Sequence, residues 1–327
     1  MRNFLPILFM ALLPLAGCEG TQSVLQSTGR EAGEAETLFW IATGVSVAVT
    51  LLIVVLIAIA LSGKRSWRAL LSHERTILYG GIALPAVVLT YLFVHSILLL
   101  EAGTSRAAGN GEPTITISGK LWWWEVTYHT AQGDIRSANE LRLPVGQPVS
   151  IRLVSDNVIH SFWAPQLGGK LDMIPGRENI ITMEATKPGI SRGQCAEYCG
   201  GAHALMSFHV VAMPADTYDK WLVQEADPAI KPSGMLAQRG LQVFTQSGCG
   251  ACHTIRGTTA NGIIGPDLTH LGSRHSLAAA TLPNNEQAIA DWITDNQHFK
   301  PGNKMPEYAM LTADDLKALS HYLAGLK

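Results

Sequence analysis

Cys195-Ala-Glu-Tyr-Cys199-Gly-Gly-Ala-His203-Ala-Leu-Met206 is the stretch that decides how the 327-residue chain is read. Two thiols, an imidazole and a thioether recur at short, regular offsets, and a further imidazole stands upstream at His160 in His-Ser-Phe-Trp163. Soft sulfur combined with borderline nitrogen suits copper. Cys-x3-Cys alone would be a weak signal, but the full set, with glycines that let the loop close on itself, is specific. Two cysteine sulfurs can bridge two copper ions, which leaves one histidine terminal to each and Met206 as a weak axial ligand. Such a site carries single electrons and does not hydrolyse.

His160, Cys195, Glu197, Cys199, His203 and Met206 match, residue by residue, the CuA ligand pattern of the cytochrome c oxidase subunit II family, and Asp172-Met-Ile-Pro-Gly-Arg177 resembles that family's sequence between the two halves. The resemblance runs from about residue 38 to 221. It implies that Glu197 offers its backbone carbonyl to copper and its side chain to a magnesium ion at the boundary with subunit I. It also implies that Trp122, placed by its offsets from Gly119 and Tyr128, is the tryptophan through which electrons enter CuA. Lys120 and Leu121 replace the family's usual residues just before it, a change consistent with a different donor surface.

Around this loop the pattern is short and alternating: Thr114–Ser118, Val149–Leu153, Asn179–Met183 and Phe208–Ala212, separated by turns such as Pro144-Val-Gly and Lys187-Pro-Gly. Such runs predict an antiparallel sandwich or barrel. The family resemblance implies the cupredoxin plan, with metal ligands on loops at one end. Trp122, Trp123 and Trp124 cannot all face one side of a strand, so at least one ring turns away from its neighbours.

Beyond Pro228 and Pro232 the pattern turns helical, and Cys249-Gly-Ala-Cys252-His253 follows. Cys-x-x-Cys-His is the attachment signature of a c-type haem, two thioethers plus a proximal histidine; a redox dithiol or a zinc half-site is the rival reading. Lys300-Pro-Gly-Asn-Lys-Met305-Pro resembles the class I cytochrome c run that supplies the sixth ligand, so Met305 is expected there, with Met310 as rival. Gly265-Pro-Asp-Leu268 resembles the segment whose proline packs beside the proximal histidine. Thr312 is placed to cap a terminal helix striped with Leu316, Leu319 and Leu323, which is expected to cross the helix bearing Leu236, Gly240, Val243 and Phe244.

Two uncharged runs, 37–62 and 76–100, each exceed the ~20 residues needed to span hydrocarbon as a helix. Lys64, Arg65, Arg68 and Arg75 lie between them while glutamates flank the outer ends, so positive charge on the cytoplasmic side would leave both termini outside. The basic start, apolar core and Leu15-Ala-Gly-Cys18 read as a lipoprotein signal with lipidation at Cys18, the alternative being an ordinary signal peptide or short anchor. His95 within the second span is either functional or a neutral histidine packed near the interface. Glu74 lies near the start of that span, where relatives carry a glutamate at the mouth of a proton path, but its offset from Pro85 differs and no role is assigned.

All five cysteines thus have chemical roles, which leaves none for a structural disulfide, and the net charge of −2 argues against a nucleic-acid partner. The expected organisation is a multidomain membrane protein: signal peptide 1–17, outer segment 18–36, transmembrane hairpin 37–103, cupredoxin-like β-sandwich 104–224, linker 225–233 and all-α cytochrome c domain 234–327. The resemblance implies an oxidase electron-transfer subunit in the bacterial inner membrane, with copper and haem c as cofactors. Its partners would be subunit I with the other oxidase subunits, and an upstream cytochrome c or quinol–cytochrome c reductase. The rival functions are the electron-input subunit of a nitric oxide reductase and a free-standing membrane-anchored redox carrier.

Overall fold

The computed structural model describes residues 19–62, 65–109 and 112–327, so Cys18 and Lys64 lie outside the described residues. The chain divides into two compact units, one of residues 33–109 and one of 19–32 with 112–327.

The first unit is helical. Helix α1 (Arg30–Leu61) is followed by the short α2 (Arg65–Leu71), a helical turn Glu74–Thr76, a π-helical stretch Ile77–Ala83 and α3 (Leu84–Gly109). Arg30–Leu61 and Glu74–Glu101 are long and apolar enough to cross a membrane, and their apolar side chains, such as Leu51 and Phe93, are exposed. A helix satisfies its own backbone, which hydrocarbon demands. The hydroxyls are satisfied too: Ser46 donates to the Ala42 carbonyl at 2.8 Å and Thr50 to the Ser46 carbonyl at 2.7 Å. His95 stacks on Tyr91 one turn away, with ring centroids 5.9 Å apart.

In the second unit the alternating runs form a two-sheet sandwich. Strands β1 (Ile115–Lys120), β2 (Trp123–Thr130), β3 (Gly133–Ala138), β5 (Pro148–Ser155) and β8 (Asn179–Glu184) make one sheet in the order β3-β2-β1-β5-β8. Strands β4 (Glu140–Pro144), β6 (His160–Trp163), β7 (Leu171–Met173), β9 (Gly189–Cys195) and β10 (Ser207–Met213) make the other, ordered β4-β10-β9-β6-β7. Both sheets are mixed and not wholly antiparallel as expected, because β1 pairs β5 and β4 pairs β10 in parallel. Period-two patterning directs Ile117, Trp124, Ile151, Leu143, Phe162 and Phe208 into one core. Gly193 is required there, because a methyl group on it would stand 2.1 Å from the Phe208 ring. Residues 19–32 lie against this sandwich, where the Thr28 and Gly29 amides donate to the Gln166 carbonyl.

Helix α4 (Ala215–Ala226) leads from the sandwich to a helical subdomain of α5 (Gly234–Gln246), α6 (Glu286–Thr294), α7 (Asn296–Phe299) and α8 (Ala313–Ala324), with two two-residue strands, Ser276–Leu277 and Leu282–Pro283, between α5 and α6. Gly240 lets α5 and α8 cross, since a methyl group there would meet the Ala318 carbonyl oxygen at 2.2 Å and Tyr322 Cβ at 2.5 Å. Val243, Phe244, Leu319 and Leu323 are buried in that crossing as expected, whereas Leu236, in the first turn of α5, is exposed because it precedes the contact. Thr312 caps α8 by accepting from the Asp315 amide at 3.2 Å. The segment between α4 and α5 is packed: the Ala229 amide donates to the Arg256 carbonyl at 2.9 Å, and Arg256 in turn donates to the Glu225 carbonyl.

Candidate metal and haem centres

Strand β9 ends on Cys195, β10 begins just after Met206, and the loop between them folds over the end of the sandwich. His160, at the start of β6, is fully buried, and Gly119 of β1 makes room for it, since a methyl group there would stand 2.7 Å from the imidazole. The Cys195 and Cys199 sulfurs are 3.7 Å apart. His160 Nδ1 lies 3.8 Å from Cys195 Sγ, and His203 Nδ1 lies 3.5 Å from Cys199 Sγ. Met206 Sδ is 3.9 Å from Cys199 Sγ, and the Glu197 carbonyl is 3.2 Å from Cys195 Sγ. The structure therefore brings together all six residues that the sequence singled out around the loop. The Glu197 carboxylate accepts locally from the Tyr198 amide at 3.2 Å.

Hydrogen bonding from Cys199, joined by His160, holds the Cys195 thiol down to about 3, while Cys195 pushes the Cys199 thiol upward: the pair keeps one proton between them. Two thiolates this close ionise together only beside a cation. The donor set of His160, Cys195 and Cys199, whose ligand atoms lie within 4.8 Å of one another and are all buried, fits a soft metal ion. His160 Nε2 donates to Asn157 Oδ1 at 3.0 Å, which leaves Nδ1 as its metal-facing nitrogen.

The three tryptophans separate as strand geometry requires. Trp124 is core, ringed by His160, Phe162 and Phe208; Trp123 lies on the opposite face near Lys120. Trp122 precedes β2, and its indole Nε1 donates to the Cys199 carbonyl at 2.9 Å. The ring lies against Gly200 of the copper loop and Gly302 of the 300–306 loop, whose added methyls would stand 3.3 and 3.5 Å from it.

In the helical subdomain, Cys249–Ala251 form a 3₁₀ turn that presents the half-buried thiols of Cys249 and Cys252. His253 Nδ1 donates to the Pro266 carbonyl at 2.7 Å, so Nε2 is the nitrogen left to bind iron. Burial lowers the His253 pKa, which favours the neutral, ligating form. Gly265 also packs on this ring, since a methyl group added there would stand 2.5 to 3.0 Å from Cε1, Nδ1 and Nε2. These contacts form the holder that a c-type haem requires of its proximal ligand. Met305 is half-buried, its sulfur accepting from Trp292 Nε1 at 3.2 Å, whereas the rival Met310 is 75% exposed.

The curated protein named cytochrome c oxidase subunit 2 from Alkalihalophilus pseudofirmus is 35% identical over 246 residues, covering 75% of this chain and 69% of that protein. The chain belongs to the cytochrome c oxidase subunit II family. The protein of the same name from Bacillus subtilis is 32% identical, covering 75% of this chain and 72% of its own length. The family model for the subunit II periplasmic domain matches residues 131–213, and a cytochrome c model matches residues 237–327. Among solved structures, the periplasmic domain of subunit II of cytochrome oxidase from Bradyrhizobium japonicum is 30% identical over 35% of this chain and 93% of that one, with a TM-score of 0.33. A haem-copper terminal oxidase dimer is 18% identical, covering 39% of this chain and 97% of that one, with a TM-score of 0.28. Subunit II membership implies a CuA centre and association with other oxidase subunits, and the cytochrome c domain implies haem c. Two apolar helices and a match to the subunit II periplasmic domain in one chain fit a membrane subunit of this family.

Three features of this subunit escaped the sequence reading. Glu140 of β4 is buried and accepts from His275 of the helical subdomain, through both its backbone amide at 2.9 Å and Nδ1 at 2.8 Å, while Arg142 braces the other oxygen at 2.6 Å. His275 therefore stands at the contact between the two subdomains. Ala278, Ala279 and Ala280 are all left-handed, with φ of 52°, 60° and 57°, and the Ala279 carbonyl accepts from the Ser207 amide at 3.2 Å. Lys300 is 3% exposed. A lysine before Pro-Gly offered no sign of burial, and only the packing of two subdomains reveals it.

Proposed function

We propose that the chain is the electron-input subunit of a haem–copper terminal oxidase, in which a copper pair on His160, Cys195, Glu197, Cys199, His203 and Met206, and a haem c on Cys249, Cys252, His253 and Met305, each take up and release one electron, feeding oxygen reduction and proton pumping in subunit I. The observation that carries this reading is the donor cluster itself, five sulfur and imidazole atoms linked by separations of 3.5 to 3.9 Å.

The rest of the site serves that chemistry. Asn157 orients His160, the Pro266 carbonyl holds the His253 tautomer, and buried Met206 excludes water from the sulfur pair. Trp122, bonded to Cys199 and packed on both loops, is the residue that would relay an electron between the two centres. The Glu197 side chain is the ligand that this chain would offer a magnesium ion, with the remaining ligands coming from subunit I. Basic residues between the spans place that turn in the cytoplasm and both redox subdomains outside the bacterial inner membrane, where Cys18 would carry lipid. The domains divide at 104, 225 and 234, and the upstream donor is a cytochrome c or a quinol–cytochrome c reductase.

Purification in mild detergent tests the proposal. A copper-pair EPR signal, a low-spin haem c and oxygen uptake should travel with the chain. Zinc or no metal at intact ligands would overturn the reading, and nitric oxide reduction without oxygen uptake would reassign the partner.

A further inference from the structure

Lys300 closes α7 at the head of the loop that carries Met305, and its side chain reaches carbonyls of both subdomains. Its ammonium donates to three backbone carbonyls from three separate segments: Trp122 at 2.5 Å, Leu205 at 3.0 Å and Ala278 at 3.2 Å. An ammonium has three donors, so the group is fully satisfied. That is the condition under which a charge can be buried. Each acceptor matters. Trp122 is the residue whose indole bonds the Cys199 carbonyl, Leu205 directly precedes Met206, and Ala278 belongs to the left-handed alanine run docked on β10. Two residues after Lys300, Gly302 lies on the Trp122 ring.

We propose that Lys300 is a positioning residue that locks the haem-bearing loop onto the copper loop through Trp122, so that electrons pass between the two centres from one docked arrangement without a domain swing. This rests on the electron-input reading and adds to it the element that holds the two centres in register. Electron transfer falls exponentially with separation, so a clamp on the intervening indole controls the rate. The Glu140–His275 contact also joins the subdomains, but it touches neither Trp122 nor a ligand loop.

The test uses the full chain, loaded and in its oxidase. In Lys300→Met, internal electron transfer from haem to copper after photoreduction should slow severalfold, because the Trp122 and Leu205 carbonyls lose the donor that fixes them to the haem-bearing loop. The haem midpoint potential and the rate at which an external reductant reaches the haem should stay unchanged, which a general loss of structure would not allow. The Ser207 amide, which donates across the contact, should exchange with deuterium faster. Should Lys300→Met fail to fold, Lys300→Gln, which keeps part of the donor set, is expected to show the same changes at smaller size. A wild-type transfer rate, or unchanged Ser207 protection, in either folded variant overturns the assignment of Lys300. Absence of haem-to-copper transfer in the unmodified chain would instead overturn the electron-input reading.

Discussion

Gly265→Ala tests how tightly the proximal histidine is held. Gly265 has no left-handed φ, so alanine is conformationally permitted and the substitution acts through space alone. Its methyl would stand 2.5 Å from His253 Cε1 and 2.8 Å from Nδ1, against an ordinary contact of 3.4 Å or more, so the imidazole must retreat by about 0.9 Å or the strand of chain must yield. The ring is also held by the 2.7 Å bond from Nδ1 to the Pro266 carbonyl. Overpacking of this kind costs ~1–3 kcal/mol, of which a weakened hydrogen bond accounts for ~1 kcal/mol. In a helical subdomain of this size, ~2 kcal/mol corresponds to a fall in unfolding midpoint of roughly 8–16 °C. Thermal unfolding of the loaded chain followed by haem absorbance measures it, with the copper signal as an internal reference that should not move before the haem does. A midpoint within about 2 °C of the unmodified chain, together with an unshifted haem spectrum, would refute the steric argument.

Met206→Leu should perturb the copper EPR signal and leave the haem spectrum intact, whereas Met305→Leu should do the reverse and Met310→Leu should do neither; as near-isosteric swaps they should cost less than ~1.5 kcal/mol each. Gly240→Val should drive α5 from α8 and lower the stability of the helical subdomain by about 1–3 kcal/mol, read as an earlier haem-monitored transition with an unchanged copper signal. Burial would raise the Glu140 carboxyl, but hydrogen bonding from His275 and the Arg142 charge outweigh it and hold it at about 2, while Glu140 raises His275. The depressed carboxylate contributes fully above its usual 4.5 and is lost as pH falls toward 2, and the raised imidazole contributes fully below its usual 6.5 and is lost as pH climbs through its higher value. Subdomain docking, measured as Ser207 amide protection, should therefore be strongest between those two usual values. It should weaken modestly in alkali, by no more than about 1 kcal/mol because His275 is partly exposed, and Glu140→Gln should flatten the profile.

Chemistry carried by short, contiguous motifs is legible in the sequence alone. Cys195, Cys199, His203 and Met206 sit on one loop, Cys249, Cys252 and His253 on one turn, and the covalent spacing alone restricts how far apart their donor atoms can be. His160 was legible by resemblance, and its approach to Cys195 required β6 and β9 to pair. The apolar runs announced their helices because hydrocarbon-length periodless hydrophobicity has few other solutions.

What only the tertiary structure decided lies between the subdomains. Which of three consecutive tryptophans turns toward the Cys195–Met206 loop depends on where β2 begins, and Trp122 precedes it while Trp124 enters the core. The burial of Lys300 and Glu140 runs against composition, since charged side chains belong in water unless distant partners satisfy them. Those partners, carbonyls at Trp122, Leu205 and Ala278 and the imidazole of His275, are between 22 and 178 residues away along the chain. Local spacing constrains a ligand loop because bonds are short; a contact across such distances exists only after both surfaces have folded, so no stretch of sequence announces it.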